Sequence, residues 1–122
     1  MNLKRARPDI IVDVRVGAAL ESLPKLQAEG LAPFELVFID ADKKNNPEYF
    51  QWALQLSTSG SIIIIDNVVR EGAVLDETTR NEDIRGTRQV IEMIGKEPRV
   101  SATALQTVGS KGYDGFVIAV VN

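Results

Sequence analysis

The chain contains neither cysteine nor histidine. The absence of cysteine excludes disulfides, thiolate nucleophiles, zinc ribbons and iron–sulfur clusters. The absence of histidine excludes a Ser–His–Asp triad, a histidine base and a histidine metal ligand. Acid–base or metal chemistry must therefore use carboxylates, amides, lysine, tyrosine or backbone groups. A bound metal is then expected to be a hard, oxygen-liganded cation such as Mg²⁺ or Ca²⁺.

Long apolar runs and a strong charge bias are also absent. The apolar runs are too short to span a bilayer, and the N-terminus has no apolar signal segment. The net charge is −3, and the basic cluster of Lys4, Arg5 and Arg7 is interpreted as a solvated helix end. We therefore expect a cytoplasmic protein without a nucleic-acid or membrane partner. Its 122 residues, 44% of them hydrophobic, fit one globular domain over residues 1–122.

Runs of β-branched residues alternate with apolar residues at helical spacing. The runs predict strands over residues 10–16, 34–40, 61–66, 99–107 and 115–121. The spacing predicts helices over residues 2–7, 18–29, 47–57 and 83–96, and Ser59–Gly60 reads as a turn. Strands 34–40 and 61–66 are expected to be buried on both faces, and the last two strands to pair as an antiparallel hairpin. This order predicts an α/β sandwich with a mostly parallel sheet.

Two predicted strands end at acidic residues, Asp40 in one and Asp66, followed by Asn67, in the other. Ligands of such sheets bind outside the carboxyl ends of the strands, so these side chains converge if the strands are neighbours. Their oxygens suit Mg²⁺, and Lys43, three residues beyond Asp40, is a candidate base. The alternatives are loop solvation and helix capping, above all for Asp42.

Several segments resemble motifs of one known family. FIDADKKNNPEY, residues 38–49, resembles the pattern FIDADKxNYxxY, and DNVVREGAV, residues 66–74, resembles DNVLxxGxV. VRVG, residues 14–17, resembles VRVGDA, and residues 98–115 look like the family's closing β-hairpin. The chain therefore resembles the cation-dependent O-methyltransferases, the group of caffeoyl-CoA and catechol O-methyltransferases.

The resemblance implies a partial Rossmann-like class I methyltransferase fold. It also implies methyl transfer from S-adenosylmethionine to one hydroxyl of a vicinal diol, usually a phenolic catechol. By the same resemblance, Asp40, Asp66 and Asn67 bind Mg²⁺ or another divalent cation, and Lys43 deprotonates the acceptor. For Lys43 the alternative is a solvated lysine at a helix start. The residues implied at the cofactor site are Gly17, Ala18, Asp40 and Asp42.

The resemblance covers only the C-terminal two thirds of the family's domain. The N-terminal β-α-β unit, with its glycine-rich cofactor loop, has no counterpart in this sequence, and Ala18 replaces an acid expected to contact adenine. Residues 10–16 would then lose both neighbouring strands. Because an exposed sheet edge favours association, we expect a homo-oligomer such as a dimer.

Two other functions stay open at this point. An inactive methyltransferase remnant could serve as an oligomerisation or interaction module, which the missing cofactor loop favours and the retained acids disfavour. A Mg²⁺-dependent module of another α/β class could use the same acids, but no phosphate-binding glycine loop supports it.

Overall fold

The computed structural model describes residues 11–110 and 112–122. The predicted helix over residues 2–7, with its basic cluster, lies outside the described residues. The helices are α1 (Ala19–Ala28), α2 (Asn46–Gln55) and α3 (Glu82–Lys96), and the strands are β1 (Phe34–Ile39), β2 (Ser57–Asp66), β3 (Val100–Gly109) and β4 (Gly112–Val121). Short 3₁₀ segments span Lys43–Asn45 and Arg70–Leu75. In this part of the chain no helix is both long and apolar enough to cross a membrane.

The four strands form one sheet in the order β1-β2-β4-β3. β1 and β2 run parallel, whereas β4 is antiparallel to both β2 and β3. The α/β class and the C-terminal hairpin are therefore confirmed. Parallel pairing is limited to one pair of strands among the described residues, so the sheet is mixed rather than mostly parallel.

The strand predicted over residues 10–16 is wrong as far as the structure describes it. Residues 11–16 form no strand, and Ile11 and Val16 are 99% and 97% exposed. A β-branched sequence favours extended backbone, but a strand is stable only when a neighbouring strand satisfies its backbone groups. No such neighbour pairs with this segment in the described residues.

Helices α2 and α3 cover one face of the sheet. The buried core joins Ile63, Ile65 and Ala119 of the strands to Phe50 of α2 and Val90 of α3. These strand residues share a face because side chains alternate along a strand. The core also includes Ile39 at the end of β1, so it extends to the carboxyl ends of β1 and β2.

Among the described residues, the opposite face of the sheet is largely exposed. Leu36 and Phe38 of β1 are 59% and 58% exposed, so the expectation that this strand is buried on both faces is wrong. β2 is buried on the core face alone, and Ile62 is 39% exposed. The predicted turn at Gly60 is instead a left-handed irregularity inside the longer strand β2. The expected oligomer stays a prediction.

Candidate active site

Three predicted site residues lie at or just after the carboxyl ends of the two parallel strands. Asp40 comes directly after β1, Asp66 is the last residue of β2, and Asn67 follows it. Ile39 pairs with Ile65 across the parallel ladder, so Asp40 and Asp66 leave neighbouring strands at the same level. The condition for their convergence, that the two strands are neighbours, is therefore met. Two carboxylates and an amide therefore lie at one edge of the sheet, which we call the acidic edge.

Lys43 forms an ion pair at the acidic edge. Its Nζ lies 3.0 Å from Asp40 Oδ1. Lys43 is only 7% exposed, whereas the Asp40 side chain is 49% exposed. The alternative of a solvated lysine is therefore wrong. An amine is held out of bulk solvent, beside a carboxylate that remains open to a ligand.

The position of Lys43 depends on a close approach by α3. A Cβ on Gly86 would overlap the carbonyl oxygen of Lys43 and lie 2.7 Å from the Cα of Lys44. These are backbone atoms that cannot rotate away, so glycine allows α3 to pack this closely. Gly86 was not predicted from the sequence. The signal that could have found it is a glycine inside a helical pattern, which often has a packing reason.

The backbone after β2 adopts left-handed conformations. Asn67, Arg70 and Glu71 have φ angles of 60°, 55° and 53°. Residues other than glycine rarely adopt such angles, although asparagine does so more readily than most. Strained backbone persists only where its surroundings enforce it, and it clusters at functional sites.

Asp114 on β4 holds this segment in place. Its Oδ1 accepts hydrogen bonds from the backbone N–H groups of Val69, Arg70 and Gly115 at 3.1, 2.9 and 2.8 Å. Its Oδ2 accepts one from Asn67 Nδ2 at 3.3 Å. Burial raises the pKa of Asp114, but these hydrogen bonds outweigh it and leave the pKa below its ordinary value. Asp114 was not predicted from the sequence, because it lies 47 positions from Asn67 along the chain.

The Asp42 carboxylate binds two side chains instead of capping a helix. It accepts hydrogen bonds from the Tyr49 hydroxyl and the Asn45 amide. Asp42 precedes the 3₁₀ segment, but its side chain makes no capping hydrogen bond, so the capping interpretation is wrong. The hydrogen bond from Tyr49 lowers the pKa of Asp42. Burial, together with the same bond, raises the pKa of Tyr49 to about 12.

Tyr49→Phe is expected to destabilise the protein by about 1 kcal/mol near neutral pH, because it removes a hydrogen bond to a charged but exposed partner. The pKa of Asp42 is lowered on folding, so its contribution is present above its ordinary value of 3.8 and is lost as the pH falls through the lowered value. The stability difference between wild type and variant should therefore shrink in acid. Chemical unfolding at several pH values measures it. Tyr113→Phe, at the partly exposed second tyrosine, is the control, and an equal loss in both variants would contradict the assignment.

A mostly apolar groove lies between α1, β1 and α2. Its volume is about 300 Å³, and Ala19 and Asp40 are among the residues that line it. Gly17 and Ala18 are exposed and come just before Ala19. The structure therefore brings Asp40 and the start of α1 to one groove, while Gly17, Ala18 and Asp42 lie outside its lining.

The oxygens of the acidic edge suit a hard divalent cation. The described residues contain no group of three acidic, histidine or cysteine side chains able to hold a metal, so a centre here would use two carboxylates and one amide. One Asp40 oxygen accepts from Lys43, and one Asp66 oxygen accepts from the Asn67 N–H at 2.8 Å. Each carboxylate thus keeps a second oxygen. Mg²⁺ takes such oxygens together with water or substrate atoms.

Comparison with known proteins identifies the family. The O-methyltransferase family model matches residues 2–119. The catechol O-methyltransferases of Niastella koreensis and Mycobacterium tuberculosis are each 48% identical to the chain, over 120 and 121 residues. The crystal structure of the O-methyltransferase from Bacillus cereus in complex with SAH is 57% identical, with a TM-score of 0.94. The chain therefore belongs to the O-methyltransferase family, and the predicted family and fold class are confirmed.

The chain spans about half the length of the relatives it matches. The alignments include 98% and 99% of this chain but only 54% and 53% of the two curated relatives. The superposition includes 98% of this chain and 55% of the Bacillus cereus chain. These shares are below the two thirds that the resemblance implied. The relatives' activity, substrates and partners therefore do not pass to this chain by similarity alone.

Proposed function

We propose that the protein acts in the transfer of a methyl group from S-adenosylmethionine to one hydroxyl of a catechol or other vicinal diol, assisted by Mg²⁺ or another divalent cation. The observation that carries the proposal is the acidic edge, where Asp40 and Asp66 leave paired strands and Lys43 lies 3.0 Å from Asp40. Two hydroxyl oxygens on adjacent carbons can bind one cation together, so the edge suits a vicinal diol. Two relatives named catechol O-methyltransferase and a neighbour solved with SAH support the same reaction.

Each residue of the edge has a distinct role in this proposal. Asp40, Asp66 and Asn67 hold the cation through oxygen atoms. When bound, a divalent cation would lower the pKa of a coordinated hydroxyl and so ease the loss of its proton. Lys43 Nζ takes the proton of the acceptor hydroxyl. The acceptor oxygen bonds to the methyl carbon as the carbon–sulfur bond breaks, and that electron pair returns to sulfur to leave S-adenosylhomocysteine.

An open cleft next to the acidic edge is proposed as the acceptor site. Its volume is about 760 Å³, and Arg70, Tyr113 and Asp114 are among the residues that line it. Asp114 accepts a hydrogen bond from Asn67 of the acidic edge, so the cleft lies beside that edge. Tyr113 is 39% exposed and offers an aromatic surface against which a phenolic ring can stack.

The contacts proposed for S-adenosylmethionine are those of the resemblance: Gly17, Ala18, Asp40 and Asp42. Support comes from the groove that Asp40 lines, because this residue then faces both the methyl donor and the cation. Asp42 is the least supported of the four. It lies outside the groove lining, and its carboxylate already binds Tyr49 and Asn45.

The second candidate function is an inactive remnant that acts as an oligomerisation or interaction module. The exposed apolar side chains of Leu36 and Phe38 favour it. This function gives no reason for a buried Lys43 paired with Asp40 at the end of a strand. The two functions differ in whether the protein binds a cation and a methyl donor.

Asp66→Ala tests the proposal. Calorimetric titration of the purified chain with Mn²⁺, with and without S-adenosylmethionine, should show affinity weakened by at least about 100-fold, because the variant loses a direct ligand. Asp76→Ala removes a carboxylate that binds Thr78 in an exposed loop and should leave Mn²⁺ affinity unchanged. Formation of methylated catechol is followed by mass spectrometry.

Two results would contradict the proposal in different ways. Equal Mn²⁺ affinity in wild type and Asp66→Ala would contradict the proposed cation centre. Cation binding without S-adenosylmethionine binding or methyl transfer would show that the chain alone has no working methyl-donor site, and would favour the second function.

A further inference from the structure

Asp114 and Asn67 meet across the sheet, and their contact assigns the orientation of the Asn67 amide. Asp114 Oδ2 lies 3.3 Å from Asn67 Nδ2. An ionised carboxylate can only accept hydrogen bonds, whereas an asparagine side chain has one donating and one accepting end. The NH₂ end of Asn67 must therefore face Asp114, and the carbonyl oxygen is left for another partner.

We infer that Asp114 is a positioning residue that keeps the carbonyl oxygen of Asn67 turned to the cation, an inference that rests on the proposed role of Asn67 as a ligand. Partners behind a metal ligand fix its orientation, and their loss commonly weakens metal affinity. Asp114 thus acts on the cation through Asn67, without contacting it.

The surrounding backbone holds the two residues in this relation. The N–H of Val68 donates to the carbonyl oxygen of Gly115 at 3.0 Å, which joins the segment after Asn67 to β4. A Cβ on Gly115 would lie 2.6 Å from the carbonyl oxygen of Leu105 and 2.7 Å from Val69 Cγ2. The strand and the segment therefore pack closely beside Asp114 and Asn67.

Asp114→Asn would place a hydrogen-bond donor opposite Asn67, where the wild type has an acceptor. The oxygen of the introduced amide would keep the three backbone donors of Val69, Arg70 and Gly115, so its NH₂ would face Asn67. Two NH₂ groups cannot hydrogen-bond to each other, so the Asn67 amide turns its oxygen to position 114 and its NH₂ to the cation. We expect Mn²⁺ affinity to fall by about 10- to 100-fold.

The double variant Asn67→Asp with Asp114→Asn provides the rescue. The carboxylate introduced at position 67 would accept from the NH₂ introduced at position 114 through one oxygen and offer its second oxygen to the cation. The variant keeps the net charge of the pair, and aspartate tolerates the left-handed backbone at position 67. Mn²⁺ affinity should return to within about 10-fold of the wild type. This limit equals the smallest loss expected for Asp114→Asn alone.

Titration with Mn²⁺ alone, followed by electron paramagnetic resonance of free Mn²⁺, is the experiment. It compares wild type, Asp114→Asn, the double variant, and Asp76→Asn as a matched carboxylate elsewhere, each checked by thermal unfolding. Weak binding in Asp114→Asn, with recovery in the double variant, supports the inference. Wild-type affinity in Asp114→Asn overturns it, and so does a loss that the double variant fails to recover, because then Asp114 only stabilises the fold. If Asp66→Ala also leaves Mn²⁺ binding unchanged, the proposed cation centre itself fails, and this inference fails with it.

Discussion

Lys43→Met is expected to slow methyl transfer to a catechol by about 10²–10⁴-fold, the usual contribution of a positioned proton acceptor. Methionine keeps an unbranched chain in the buried site but has no amine to take the proton. Mn²⁺ affinity should stay the same or increase, because Asp40 loses the partner that occupies one of its oxygens. Initial rates at saturating catechol and S-adenosylmethionine, together with Mn²⁺ titrations, measure both effects.

Lys44→Met is the matched control for Lys43. Lys44 is adjacent in sequence but exposed, and its backbone N–H, which bonds to Asp83, remains in the variant. Its rate should equal that of the wild type. Equal rates for both variants would show that Lys43 has no role in methyl transfer. A fall in Mn²⁺ affinity that matches the fall in rate would instead mean that Lys43 supports the cation centre and does not carry the proton.

The acidic edge could be predicted because its members are local to two strand ends. Asp40 and Asp66 each follow an apolar run, and the parallel pairing of such runs follows from the α/β order. Lys43 lies three residues from Asp40, so proximity in sequence already implied proximity in space. Helix and hairpin positions were predictable for the same reason, since their hydrogen bonds connect nearby residues.

The missed residues depend on contacts between distant parts of the chain. Asp114 reaches Asn67 from another strand, and Gly86 meets Lys43 from another helix. No local pattern at Asp114 distinguishes it from a solvated turn residue. Its role follows from the register that pairs Asp66 with Phe116, which brings the start of β4 beside the end of β2.

The failed strand at residues 10–16 and the exposed face of β1 have one physical cause. Both sequences are apolar enough for a buried strand, but burial needs a second strand or helix to supply the other surface. In the described residues nothing covers Leu36 and Phe38, and nothing pairs with residues 11–16. The composition of a segment indicates whether it could be buried. Whether it is buried depends on the neighbouring strands and helices.

Gly86→Ala is expected to lower the free energy of unfolding by about 1–3 kcal/mol, although alanine is the better helix former by about 1 kcal/mol. The added methyl group would collide with the carbonyl oxygen of Lys43, so either α3 or the 3₁₀ segment must move. Movement of that segment displaces Lys43 from Asp40. Denaturant unfolding measures the stability change, and the rate of methyl transfer measures the displacement.

Gly95→Ala is the control within the same helix. A Cβ on Gly95 would meet nothing within 4 Å, so alanine there should stabilise the protein by up to about 1 kcal/mol through helix propensity alone. The two glycines thus separate helix propensity from packing. Glycine to alanine is expected to change the free energy of unfolding in opposite directions at two positions nine residues apart. If Gly86→Ala stabilised the protein as Gly95→Ala should, the close approach of α3 to Lys43 would be wrong. Helix α3 would then not fix Lys43 at the acidic edge.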